Sequence, residues 1–294
     1  MARFDKTGQS SEVAMNNEAT HGYRFPVYFI PHGGGPWPFM EFPGDAEGKA
    51  PWDDLRAFLQ GLDAEIGRRP KAVLVVSGHW EKEPVPTVST ALKPGMLFDY
   101  YNFPPHTYEL SYPAPGSPEL AARARALLAD AGIESAQDDT RGFDHGVFIP
   151  FMLVYPDADV PITMISLKNT LDVDSHVAIG KALAPLRDED VLIIASGMSY
   201  HNMRMFRQAE PNHVQQAIRF DDWLSEAVAD PDSETRAKVL STWDQNPDAL
   251  ACHVPDHDHL VPLFVASGAA GSDAGRQVFR GEFLGKPYSA YRFG

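Results

Sequence analysis

The chain has 294 residues, 44% of them hydrophobic and 22% charged, with a net charge of −15. These values are typical of a globular protein with a full core, and the acidic balance argues against a nucleic-acid partner, whose phosphates attract clustered Lys and Arg. No apolar run reaches the roughly 18 residues of a membrane span, and a lone cysteine, Cys252, excludes an intramolecular disulfide and a multi-cysteine metal site.

The N-terminal segment 1–22 is polar and lacks an apolar signal core. We therefore predict a disordered leader over 1–22, one domain over 23–294 and a location in the reducing cytoplasm. The stretch FPVYFIPHGGGPWP over 25–38 predicts a buried strand that ends at Pro31. His32 and three glycines follow this strand. Glycines allow a tight turn beside His32, and the ends of core strands are where α/β sheets place ligands.

The same pattern recurs after a predicted helix over 52–66. KAVLVVSGHW gives a buried strand over 72–76 and then Ser77, Gly78 and His79. If these strands are parallel, both imidazoles lie at one edge of the sheet. A third apolar strand over 191–195 runs into SGMSYHN, which contains His201. A single such histidine is more often structural, but three at strand exits favour a shared metal site.

Other segments predict helices, edge strands and one long loop. We predict a short edge strand over 86–92, a helix from Pro118 with Ser117 as its N-cap, and closing strands or a hairpin over 277–293. The segment 93–116 holds six aromatic residues and five prolines and predicts no regular element. Tyr101, Phe103 and Tyr108 in it are candidates for the wall of an apolar substrate pocket; the alternative is a loop that only packs on the scaffold.

Three kinds of chemistry suit the histidines. Non-haem Fe(II) sites use His and carboxylate ligands and leave positions open for substrate and O₂, whereas zinc hydrolases use similar donors. The HGGG motif also occurs in esterases, but ASGMSYH lacks the second glycine of a nucleophile elbow. The sequence therefore favours a metal site, with His145 of RGFDHG and His201 left for proton transfer.

Six motifs, in order, extend this reading: PHGGGP, SGHW, YPAPGSPELA, GFDHG, SGMSYHN and HDHLVPLFVASGAA. Together they resemble the class III extradiol ring-cleaving dioxygenases, the protocatechuate 4,5-dioxygenase β-subunit (LigB-like) superfamily, and within it the 4,5-DOPA dioxygenase-like branch. The resemblance covers about residues 25–293. It implies an α/β domain with a central mixed β-sheet flanked by helices and an active site at the strand exits.

The resemblance also implies roles for individual residues. His32 and His79 match metal ligands, and His259 matches the third, although His253 and His257 lie close enough in sequence to stay alternatives. His201 matches an acid–base histidine that can also serve as a fourth ligand, and His145 matches a pocket histidine that contacts substrate or oxygen.

The expected function is therefore an Fe(II) extradiol dioxygenase that inserts both atoms of O₂ into a catechol-type ring. Zn(II) can occupy the site in purified protein, because it binds most such donor sets more tightly than Fe(II). The alternative is a zinc-binding, non-redox member of the same superfamily, either a hydrolase or a binding protein. The oligomeric state, monomer or homodimer, stays open.

Overall fold

A computed structural model describes residues 23–42 and 50–294; the leader predicted over 1–22 lies outside this range. Its centre is one eight-stranded β-sheet with helices packed around it. The strands of this sheet are β1 Val27–Pro31, β2 Ala72–Ser77, β3 Thr87–Ser89, β4 Ala136–Asp138, β5 Ile162–Ile165, β6 Val191–Gly197, β9 Gly275–Phe283 and β10 Lys286–Phe293. A separate two-stranded ladder is formed by β7 His201–Asn202 and β8 His253–Val254.

The strand order is β4-β3-β5-β2-β6-β1-β10-β9. The four central strands run parallel: β6 pairs with both β1 and β2, and β2 pairs with β5. The antiparallel pairs of this sheet flank the four central strands. They are β3 with β5 on one side, and β10 with both β1 and β9 on the other. The predicted α/β fold with a central mixed sheet is therefore confirmed, and β1 and β2 end at the same edge as expected.

The central strands are hydrophobic at nearly every position because both faces of the sheet are covered. Every residue of β2, β5 and β6 is buried, which is the pattern of parallel strands between two helical layers. The covering helices are α1 Asp53–Ile66, α2 Pro118–Asp130, α3 His145–Val154, α4 Val173–Leu183, α5 Pro211–Val228, α6 Ser233–Leu240, α7 Pro247–Cys252 and α8 Val261–Ala270. Within the described ranges, no helix combines the length and hydrophobicity needed to cross a membrane.

Local signals explain some element boundaries and miss others. The Ser117 hydroxyl accepts a hydrogen bond from the Leu120 amide at 3.2 Å, so the predicted cap of α2 is confirmed. The predicted hairpin over 277–293 is also present, as β9 and β10. The predicted strand over 86–92 is shorter and is not at the edge, because the unpredicted strand β4 pairs beyond it. Helix α7 was likewise not predicted, since six residues show no clear helical periodicity.

Candidate metal centre

Five histidines from distant parts of the chain meet at the edge where the parallel strands end. The ring centroids of His32 and His79, which follow β1 and β2, are 4.8 Å apart. The His259 ring lies 5.1 Å from that of His32 and 4.6 Å from that of His79. His145, the first residue of α3, has its ring 4.0 Å from the His79 ring. His201 stacks on His259 with centroids 3.5 Å apart.

His259 reaches this edge because its backbone packs against the exit of β6. The Met198 amide donates to the His259 carbonyl at 2.9 Å. A Cβ at Gly197 would lie 2.2 Å from that same oxygen, so this approach requires glycine. The Ser-Gly sequence at the end of β6 thus makes room for the loop that carries His259.

The hydrogen bonds of two histidines fix which nitrogen keeps a free lone pair. Nδ1 of His32 lies 2.9 Å from the Gly33 carbonyl oxygen, and Nδ1 of His259 lies 2.8 Å from Oδ1 of Asp258. Because these oxygens only accept, the proton sits on Nδ1 in both rings and Nε2 is left as a base. Carbonyl or carboxylate partners of this kind are typical of metal-binding histidines.

The spacing of these free nitrogens fits a bound metal ion. Nε2 of His259 lies 3.2 Å from Nε2 of His79, and Nε2 of His32 is buried without a hydrogen-bond partner. Two nitrogens about 2.1 Å from one metal are separated by about 3.0–3.4 Å in octahedral or tetrahedral geometry. The donor atoms form two groups within 4.8 Å: His32, His79 and His145; and His201, Asp258 and His259. The contact between His79 and His259 joins the two groups.

Four of the imidazoles at this edge, those of His32, His79, His201 and His259, are held neutral, as metal ligands must be. Desolvation and the neighbouring histidines keep the pKa of His32, His79 and His259 well below the ordinary value. Burial, with a smaller contribution from His145, lowers the pKa of His201 to about 4. Burial also raises the pKa of Asp258, the partner of His259, to about 6.

Neither carboxylate at the site, Asp258 or Asp99, was predicted from the sequence. Asp99 lies in the segment 93–116, hereafter the aromatic loop; its Oδ1 is 2.7 Å from Nδ1 of His145 and its Oδ2 is 3.3 Å from Nδ1 of His79. Desolvation would raise the pKa of this carboxyl, but the hydrogen bond from His145 and the nearby imidazoles lower it to about 2. A lone Asp in a proline-rich loop carries no spacing signal, so only its three-dimensional position identifies it.

The structure separates the three C-terminal histidines that the sequence left as alternatives. His253 lies in β8, with Nε2 3.1 Å from the Ser199 carbonyl oxygen. Nε2 of His257 lies 3.0 Å from the Leu171 carbonyl oxygen, and its ring packs on Trp243. Of the three, only His259 has its ring against those of His32 and His79.

The aromatic loop packs over the same edge. Its buried residue Tyr100 has its ring 5.7 Å from the His145 ring and 5.3 Å from the Phe103 ring. Phe103 in turn packs on Gly35 of the triple-glycine turn, and Tyr108 lies 5.3 Å from Tyr100. The Tyr101 side chain is different, since it is 79% exposed. Tyr100, rather than its neighbour Tyr101 predicted from the sequence, is the tyrosine whose ring packs on His145.

Comparison with known proteins gives a consistent result. A family model described as the catalytic LigB subunit of aromatic ring-opening dioxygenase matches residues 26–293. The chain is 35% identical to dioxygenase tasH of Hapsidospora irregularis over 290 residues, which cover 92% of this chain and 85% of that protein. It is 36% identical to the 4,5-DOPA dioxygenase extradiol of Beta vulgaris over 271 residues, covering 91% of this chain and 96% of that protein.

A solved structure supports the fold. The crystal structure of an uncharacterized protein from Escherichia coli K12 superposes with a TM-score of 0.72 at 27% identity. The match covers 92% of this chain and all of the other, so the sheet and its helical layers are shared over nearly the whole domain.

Proposed function

Because the chain belongs to the family of catalytic LigB subunits of aromatic ring-opening dioxygenases, we propose that it is a non-haem Fe(II) extradiol dioxygenase acting on a catechol-type ring. One observation carries this proposal: Nε2 of His79 and Nε2 of His259 lie 3.2 Å apart. The Nε2 atom of His32, whose ring packs against both, is buried without a hydrogen-bond partner. These nitrogens would hold iron, which would supply binding positions for a catechol and O₂. The relatives named 4,5-DOPA dioxygenase extradiol make DOPA the first substrate to test.

We assign the metal to His32, His79 and His259. Their rings lie within 5.1 Å of one another by centroid, and each is neutral at physiological pH because burial depresses its pKa. His145 stands close enough to be an alternative ligand. Metal content of His259→Ala and His145→Ala protein separates the two sets, since the first variant should lose the ion and the second should retain it.

His201 is assigned to proton transfer rather than metal binding. Its ring is nearly parallel to that of His259, at an interplanar angle of 13° and a centroid distance of 3.5 Å. With the two rings face to face, the lone pairs of His201 run nearly parallel to those of His259 and do not converge on a common point. His32, His79 and His259 would therefore hold the metal, and His201 would serve as the nearby base. To act as a fourth ligand, His201 would have to turn out of this stack. Its buried Nδ1 has no hydrogen-bond partner, the Oδ1 atom of Asp258 being 4.0 Å away, and would exchange a proton with a substrate hydroxyl.

The aromatic loop is assigned to the substrate. Phe103 and Tyr108 pack around Tyr100, which contacts His145, so these rings form an apolar surface next to the metal ligands. A catechol is flat and apolar beyond its two hydroxyls, and aromatic walls suit such a ring. Tyr101, being exposed, would contact a substrate only at the outer end of this surface.

A zinc-binding, non-redox protein is the second candidate. The observation that favours it is the all-imidazole donor set, because three histidines also form one of the known catalytic zinc sites. The same fold and cluster would then serve hydrolysis or ligand binding. Zinc in a purified sample does not decide the matter, since Zn²⁺ outcompetes Fe²⁺ at most such sites.

The test is oxygen uptake by metal-free protein loaded anaerobically with Fe(II). Catechol, DOPA, caffeate, protocatechuate and gallate would be supplied in turn, with Zn(II)-loaded protein as the matched control. We expect O₂ consumption and a ring-opened product, in equal amounts, only with iron. No uptake with any catechol, from protein that demonstrably holds Fe(II), would reject the dioxygenase and favour the zinc alternative. We place the enzyme in the cytoplasm, where a reducing environment keeps iron ferrous.

A further inference from the structure

The carboxylate of Asp99 is shared between two histidines with different assigned roles. Its Oδ1 accepts from the backbone amide of His145 at 3.0 Å and lies 2.7 Å from Nδ1 of the same residue. Its Oδ2 faces Nδ1 of His79 at 3.3 Å. The side chains of all three residues are less than 20% exposed, so water competes little for these contacts.

An acceptor in this position favours the same tautomer in both rings. A carboxylate has only acceptor atoms, so the Nδ1 of His145 that is hydrogen-bonded to Asp99 carries the proton. The negative charge 3.3 Å from Nδ1 of His79 favours a proton on that nitrogen as well. The lone pair of each ring is then on Nε2. In His79 that nitrogen is the atom 3.2 Å from Nε2 of His259, on the side assigned to the metal. Without the carboxylate, the proton of a neutral His79 would be free to move to this nitrogen and block it.

The position of Asp99 is itself fixed by the loop that carries it. The Leu97 amide donates to the Phe143 carbonyl at 2.8 Å, and the Phe143 amide donates to the Gly95 carbonyl at 2.9 Å. The next residue, Tyr100, places its ring against His145. The loop and the turn before α3 therefore hold the carboxylate from both sides.

We propose that Asp99 is a positioning residue that fixes the Nδ1–H tautomers of His79 and His145 and ties the aromatic loop to the metal ligands. This inference rests on the proposed function for the meaning of the two histidines. The contacts of Asp99 with the two histidines form without a bound metal. A carboxylate behind a metal-binding histidine is typically responsible for about 10–100-fold in metal affinity.

The variant Asp99→Asn tests the proposal. An amide offers one acceptor oxygen, so its NH₂ group must face one of the two Nδ1 atoms. With the oxygen kept by His145, the NH₂ faces His79 and shifts that ring to the Nε2–H tautomer. Long-range ¹H–¹⁵N spectra of the metal-free protein report this shift directly. Zn(II) affinity, measured by competition with a chromophoric chelator, should fall about 10–100-fold.

The control is Asp139→Asn, which removes the same charge from an exposed side chain on the segment before α3. It should change neither the tautomers nor the Zn(II) affinity. Unchanged tautomers and Zn(II) affinity within twofold of wild type in Asp99→Asn would overturn the proposal. If that variant does not fold, the wild-type spectrum decides, since an Nε2–H tautomer for His79 or His145 contradicts the role of Asp99. Neither readout needs turnover, so failure of the dioxygenase assay would leave this test standing.

Discussion

Replacing Gly35 with alanine should destabilise the protein and displace the aromatic loop. Gly35 has φ of +56°, in the left-handed region, and an added Cβ would lie 2.7 Å from the ring of Phe103. The neighbouring Gly34 has no such restriction, because its added Cβ would have only an ordinary 3.7 Å contact with Trp52. The two glycines of the same turn therefore form a matched pair.

The magnitude follows from two contributions. A left-handed backbone costs an L-residue about 1–2 kcal/mol, and overpacking against a ring that does not move costs about 1–3 kcal/mol. The free energy of unfolding of Gly35→Ala should therefore fall by about 2–5 kcal/mol. At roughly 2 °C per kcal/mol for a chain of this size, Tm falls by roughly 4–10 °C.

Thermal unfolding of metal-free Gly35→Ala and Gly34→Ala, followed by circular dichroism, measures this difference. If Phe103 moves aside, the loss of stability shrinks to the backbone contribution, and the displaced loop should raise KM for the catechol. Gly34→Ala should lie within about 0.5 kcal/mol of wild type, as is usual for surface substitutions. Equal Tm and equal KM for the two variants would refute the assigned contact between the turn and the loop.

The other predictions concern proton transfer, the loop and pH. His201→Ala should lower kcat by roughly 10²–10⁴-fold with KM little changed and full metal content, whereas metal loss would make His201 a ligand. Phe103→Ala should raise KM and lower Tm, whereas Tyr101→Ala, which changes an exposed side chain, should leave Tm unchanged. An unchanged KM in both variants would mean that the loop has a structural role and does not bind the substrate. The metal-free protein should lose stability from about pH 6.5 toward pH 5, because desolvation lowers the pKa of His253 to about 3 and only the unfolded chain takes up that proton. Such a group changes the free energy of unfolding by up to about 1.4 kcal/mol per pH unit. Asp258 offsets part of this loss, because a carboxyl with a raised pKa of about 6 stabilises the folded protein as the pH falls. A Tm that stays constant from pH 7 to 5 would contradict the prediction.

The sequence alone identified His32 and His79 as candidate metal ligands from the residues that immediately precede them. His32 and His79 each follow a fully apolar segment, and such segments form the central strands of a covered sheet. Parallel strands end at one edge, so a pattern within ten residues was enough to predict that two distant side chains lie together. The order of six short motifs extended this to the family, which the match over residues 26–293 confirms.

The tertiary structure decided what has no local signal. His253, His257 and His259 lie within seven residues, and nothing in their spacing tells which ring turns toward His79. That choice depends on the close packing of the His259 backbone against Gly197, a contact between segments 62 residues apart in sequence. The positions of Asp99 and Tyr100 likewise come from long-range backbone bonds to Phe143 and packing on His145. Sequence patterns report which face of an element is buried, whereas contacts between loops depend on how the whole chain closes around its core.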